Sequence, residues 1–181
     1  MENTLRRLDR RLVFRGGIID IYKDKVELPD GRIEEWDDVH HKKGGGACVV
    51  PVLSDGRILL IRQMRPIIGR ETLELPAGCR DAGEDGAQTA ARELLEETGM
   101  RAGRLTFLAA IDTAVAWCDE STEIYLAEEL TDTGVQHLDE AEAIRNEAYD
   151  LRVLLEKINR REIRDAKTVA GIFAYNSLKL R

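Results

Sequence analysis

The stretch GCRDAGEDGAQTAARELLEETGM, Gly78–Met100, decides how the rest of the chain is read. From Asp85 to Thr98 it has a helical period. Ala87, Ala91, Leu94 and Thr98 fall on one side, and Thr89, Glu93, Glu96 and Glu97 on the other. Gly99 is placed as the stop. Glu93 and Glu97 stand at i and i+4, Glu96 lies at i+3, and Arg92 is spaced to pair with Glu96. Like charges so placed repel by on the order of a few tenths of a kcal/mol per pair. A hard divalent cation would turn that repulsion into attraction. Mg²⁺ takes carboxylate, water and phosphate oxygens at roughly 2.0–2.1 Å. The loop before the helix holds Gly78 and Gly83, which let backbone approach a ligand closely. For such a cluster taken alone, a solvated acidic helix face is the plainer reading.

Upstream of this stretch the period is that of strands. Val13 to Leu28 is rich in β-branched and aromatic residues, with a break at Gly16-Gly17. Leu28-Pro29-Asp30-Gly31 is a turn, and Ile33 to His40 is the returning strand. Ala47 to Leu53 is nearly all apolar and is expected to be buried on both faces. Asp55-Gly56 turns it into Arg57 to Met64, and Glu71 to Leu75 follows as a short strand. Downstream, strands are expected at Leu105 to Asp112 and Glu123 to Glu128, then an acidic loop from Leu130 to Glu147. Two helices close the chain. One begins near Asp150 with Leu151, Leu154, Leu155 and Ile158 on one face. The other follows Asp165 and carries Val169, Ile172 and Phe173, with Leu178 beyond.

Composition sets the outer bounds. The 181 residues fit one domain, or one domain with a small N-terminal extension. A net charge of −7 argues against nonspecific nucleic-acid or membrane-surface binding. No run reaches the roughly 18 apolar residues of a membrane span. The arginines at 6, 7, 10 and 11 are interrupted by Asp9 and read as a solvated start to the first strand. Cys48, Cys79 and Cys118 are odd in number and form no CxxC pair, which points to a reducing, cytoplasmic setting. His40 and His41 alternate faces on a strand and so form no common site, and a lone His such as His137 is more often a surface or satisfied residue, so no catalytic role is expected of the three.

The stretch resembles the box motif of the Nudix hydrolases: Gly78, five residues, Glu84, seven residues, then Arg92-Glu93-Leu94-Leu95-Glu96-Glu97-Thr98-Gly99-Met100. Every fixed position is filled. The resemblance implies the α/β class: an α/β/α sandwich with a mixed sheet and an N-terminal antiparallel β-hairpin extension. Residues 1–42 form the extension and 43–181 the hydrolase domain. It also implies that Glu93 and Glu97 are the main metal ligands, that Glu96 and Glu84 are lesser ones, and that the Ala77 carbonyl is a further ligand. The ion is Mg²⁺, with Mn²⁺ as the alternative. Glu96 is counted in the catalytic set as well.

WDDVHHKKGGGACVVPVL, LIRQMRP, ELPAG and IRDAKT extend the likeness to the ADP-ribose and nucleoside-diphosphate-sugar pyrophosphatases, over about Asp20 to Tyr175. In that branch the residue matching Trp36 stacks on adenine, often across a homodimer interface; packing within the hairpin is the alternative. Arg65 matches a substrate-contacting arginine, against a surface salt bridge. Trp117 lies on a loop that would overlie the sugar. Within HLDEAEAIRNE, Glu142 matches a catalytic glutamate on a loop, with Glu140 as runner-up. The branch usually has a proline where this chain has Val115, which leaves the identity of the substrate open but not the phosphate chemistry. The expected activity is hydrolysis of ADP-ribose or a related nucleoside diphosphate sugar. The alternatives are another nucleotide substrate, GDP-mannose-like or a nucleoside triphosphate, and a noncatalytic ADP-ribose-sensing module.

Overall fold

The computed structural model describes residues 4–136, 138 and 143–180. Two compact units divide the chain: Met1–Gly45 with Asp112–Ser121, and Gly46–Ile111 with Thr122–Arg181.

The first unit is an antiparallel sheet of β1 (Arg6–Arg15), β2 (Ile19–Glu27) and β3 (Ile33–His41), with β2 central. Gly16 makes the first reversal: its N–H donates to the Ile19 carbonyl at 2.9 Å, and a β-carbon there would sit 2.5 Å from that oxygen. The N-terminal arginines pair across the strands. Arg6 bonds Glu27, while Arg10 bonds Asp24 and Asp38 and lies 4.6 Å over the Tyr22 ring. The segment Asp112–Ser121 docks on β3. The Val39 N–H donates to the Trp117 carbonyl at 2.7 Å, and Asp119 accepts from the His41 N–H at 2.8 Å while holding the His40 ring at 2.6 Å.

The second unit runs β4 (Gly45–Pro51), β5 (Ile58–Arg65), a 3₁₀ turn (Pro66–Ile68), β6 (Arg70–Glu74), β7 (Ala77–Cys79), α1 (Gly86–Thr98), β8 (Met100–Arg101), β9 (Arg104–Asp112), β10 (Ser121–Glu128), β11 (Thr131–Asp132), β12 (Arg145–Tyr149), α2 (Leu151–Asn159) and α3 (Ala166–Lys179). One sheet is ordered β7-β4-β10-β9, a second β12-β5-β6, and β11 pairs β8. β4 is buried along its whole length, as its apolar run predicts. Alternation splits its side chains between two cores. Ala47 and Val49, with Tyr125 and Ala127, meet Ala90 and Leu94 of α1. Cys48 and Val50, with Ile124 and Leu126, meet Ile58, Leu60, Leu73 and Leu75 of the second sheet, Leu154 of α2 and Ile172 of α3. Helix, sheets and helices thus stack as the expected α/β/α sandwich. Each fully buried Leu or Ile contributes about 1.5–3 kcal/mol. α3 lies close because Gly171 has no side chain; a β-carbon there would be 2.5 Å from Leu75.

Three expectations are corrected. Leu130 to Glu147 is not all loop, since Arg145–Tyr149 is β12, paired antiparallel with β5. Its charged sequence suits an edge strand, and Glu147 bonds Arg62 across the pair. On α1 the buried alanine is Ala90 rather than Ala91, because the packed face runs through Gly86, Thr89, Ala90, Leu94, Glu97 and Thr98. On α3, Phe173 and Leu178 are exposed, and the buried face is carried by Thr168, Gly171, Ile172 and Tyr175.

Candidate metal and catalytic site

α1 is fixed at both ends by local chemistry. The Asp85 carboxylate accepts from the Gln88 N–H at 2.8 Å and the Gln88 side chain accepts from the Asp85 N–H at 2.9 Å, a reciprocal cap. Gly99, at φ 72°, ends the helix in the left-handed region. Glu93, Glu96 and Glu97 therefore occupy the C-terminal half, where the helix dipole disfavours negative charge.

Arg92 gathers most of this charge. Its guanidinium donates to Glu84 at 2.9 and 3.1 Å, to Glu93 at 2.7 Å, to Glu96 at 2.9 Å, and to the Cys79 carbonyl at 2.9 Å. The Arg92 bonds, with others from the Asp81 N–H and the Thr89 hydroxyl, hold the Glu84 carboxyl at about 2. Glu97 is buried at 3% exposure and accepts the Ala77 N–H at 2.8 Å. Gly78 packs against the Glu93 carboxylate with no room for a β-carbon. Ala77, Glu84, Glu93, Glu96 and Glu97 thus belong to one patch, built from β7, its following loop and α1.

This donor set fits a hard divalent cation. One guanidinium faces three carboxylates, and all the candidate donors are oxygens. Among the described residues, no group of three or more His, Cys, Asp or Glu side chains is already converged for a metal. Arg92 bonds three of the four carboxylates that a cation would share: Glu84, Glu93 and Glu96.

Other candidates line two cavities. Trp36 and Trp117 line one cavity of about 390 Å³ in the first unit, together with Val115, Asp24, Asp37 and Asp38. Arg65 lines a second cavity of about 540 Å³ in the other unit, its guanidinium bound to Glu74 at 2.8 and 2.7 Å. Glu140, Glu142 and His137 lie outside the described residues. Sequence reasoning missed Asp119, whose carboxylate ties the Trp117 segment to β3, and Glu74, where Arg65, Lys167 and Thr72 converge. The ELPAG and IRDAKT motifs contained the signal for Glu74 but not its pairing.

Burial would raise the Glu74 carboxyl, but bonds from Arg65, Lys167 and Thr72 outweigh it and hold it at about 2. A depressed carboxyl stabilises the fold above its unfolded value of 4.5, and that contribution is lost as pH falls toward about 2. The shift is equivalent to about 3 kcal/mol. Between those pH values, Glu74→Gln is expected to flatten the dependence of unfolding free energy on pH. A slope equal to wild type would show that Glu74 carries no such linkage.

The NUDIX domain family matches residues 42–170. The chain belongs to the Nudix family. It is 37% identical over 161 residues to the ADP-ribose pyrophosphatase of Bacillus subtilis (strain 168), covering 88% of this chain and 86% of that protein. It is 33% identical over 184 residues to the ADP-ribose pyrophosphatase of Mycobacterium tuberculosis (strain ATCC 25618 / H37Rv), covering 98% of this chain and 86% of that protein. A solved ADP compounds hydrolase shares the fold at a TM-score of 0.84 and 22% identity, covering 96% of this chain and 93% of that chain. Nudix hydrolases generally use divalent metal cations.

Proposed function

We propose that this protein hydrolyses the pyrophosphate bond of ADP-ribose, or of a closely related nucleoside diphosphate sugar, to a nucleoside monophosphate and a sugar phosphate. The observation that carries the chemistry is the patch of Glu84, Glu93, Glu96 and Glu97 gathered beside Ala77. Two relatives named ADP-ribose pyrophosphatase, similar along nearly the whole chain, support the choice of substrate. Glu93 and Glu97 are the principal holders of Mg²⁺, with Mn²⁺ as the alternative. Glu96, Glu84 and the Ala77 carbonyl assist, and Glu96 also contacts the reacting groups. When bound, the cation neutralises the diphosphate and acidifies water. A water oxygen forms a bond to one phosphorus, the bridging P–O bond breaks, and Glu142, or in its place Glu140, takes the proton. Trp36 stacks on the base, Trp117 covers the sugar, and Arg65 binds a substrate oxygen. The protein acts as a homodimer in the cytoplasm, with residues 1–42 forming the extension that reaches the partner's site.

A panel of nucleoside diphosphate sugars assayed with Mg²⁺ for released monophosphate tests the reading; turnover of nucleoside triphosphates in preference to every sugar would refute it. Base stacking on an aromatic ring is worth roughly 1–3 kcal/mol, so Trp36→Ala is expected to raise KM for ADP-ribose about tenfold. An unchanged KM removes the stacking role. Glu142→Gln is expected to lower kcat about 10²-fold or more, with Mg²⁺ affinity retained. Full activity in both Glu142→Gln and Glu140→Gln would leave neither as the proton acceptor. Sedimentation of a monomer at assay concentration would overturn the dimer.

A further inference from the structure

Glu123 lies on β10, outside the box, and its carboxylate ties three elements together. It accepts from the Arg80 guanidinium, on the segment leaving β7, at 2.5 Å. It accepts from the Tyr125 hydroxyl, two residues along its own strand, at 2.5 Å. Its other contact is the first residue of α1. Gly86 is buried, and a β-carbon there would overlap a Glu123 carboxylate oxygen and lie 2.9 Å from the Tyr125 hydroxyl. A carboxylate at this end of α1 also complements the helix dipole. Burial and the Glu123 bond push the Tyr125 hydroxyl up to about 12, so it stays a donor.

The loop between Arg80 and Gly86 carries Glu84 and is therefore held from two sides. Arg92 grips it through Glu84, and also bonds the Cys79 carbonyl at the end of β7 just before it. Glu123 grips it through Arg80 and the close approach to Gly86. Only the first grip involves the box carboxylates themselves.

We propose that Glu123 is a positioning residue for the metal site: clamped between Arg80, Tyr125 and the glycine at the start of α1, it sets the register of α1 against β7, and so the spacing of Glu93 and Glu97 from Ala77. This rests on reading α1 as the cation-holding helix. It acts through Arg80 and the helix and touches neither substrate nor cation.

The test is calorimetric titration of Mn²⁺ into the substrate-free protein, with the thermal midpoint measured in chelator. Residues that orient metal ligands typically control affinity by 10–100-fold, so Glu123→Gln is expected to weaken Mn²⁺ binding about tenfold. Its midpoint should fall by only a few degrees, the scale of losing a partly exposed ion pair. Tyr125→Phe, which removes one bond, is expected to weaken binding about threefold. Arg80→Ala should match Glu123→Gln, and the double variant should lose little more, as groups in contact do. Gly86→Ala should weaken binding in the same way. A merely structural role would lower midpoints and leave Mn²⁺ affinity intact. If Glu123→Gln and Tyr125→Phe both bind Mn²⁺ within twofold of wild type while Glu97→Gln does not, the positioning role is overturned and the cation reading stands. If wild type itself binds no Mn²⁺, both fall.

Discussion

Glu97→Gln is expected to lower kcat/KM about 10³-fold, equivalent to about 4 kcal/mol of lost transition-state stabilisation, of the size a metal supplies to developing phosphoryl charge. Its effect on folding should be far smaller. Glu97 is buried in the packed face of α1, and its Oε2 accepts the Ala77 N–H at 2.8 Å. A glutamine has the same shape and keeps a carbonyl oxygen for that bond. It removes one negative charge from the end of a helix where negative charge is disfavoured. The metal-free variant should therefore melt within a few degrees of wild type, while Mg²⁺ should raise its midpoint less than it raises that of wild type. Turnover, and melting with and without Mg²⁺, separate the two effects. Near-normal turnover at saturating Mg²⁺ would remove Glu97 from the site.

Arg92→Ala is expected to lower stability substantially in metal-free buffer. Five hydrogen bonds go with it, four to carboxylates and one to the Cys79 carbonyl. Removing one partner of a buried ion pair costs about 3–5 kcal/mol, and at 25% exposure of this side chain about 2–3 kcal/mol is the appropriate scale. The carboxylates left behind repel one another, and a bound cation relieves that. Ligand at about 100 times its Kd stabilises by about 2.7 kcal/mol, so saturating Mg²⁺ should recover most of the loss. Arg92→Lys should fall between the two, because an ammonium keeps the charge but not the planar fork that serves Glu84 and the Cys79 carbonyl together. Thermal midpoints of the three proteins across a Mg²⁺ series would decide this. A wild-type midpoint for Arg92→Ala in chelator would mean the guanidinium does not hold the patch together.

The sequence by itself determined the features that depend on near neighbours. The Pro29-Asp30-Gly31 turn, the Gly16-Gly17 break, the limits of α1 and the apolar run of β4 were all legible, because each rests on residues a few positions apart. The spacing of the box likewise located the carboxylates on α1. Only the tertiary structure decided which groups those side chains meet. Glu97 is buried against β7, although periodicity alone had set it on the polar side. Arg65 meets Glu74, and Glu74 meets Lys167 across 93 positions of sequence. Glu123 reaches Arg80 across 43 positions, and β12 is a strand because β5 stands beside it. Local propensity acts over one or two turns of chain, whereas these pairings depend on how the sheets and helices stack, and the energy of a buried carboxylate depends on the partner that stacking supplies.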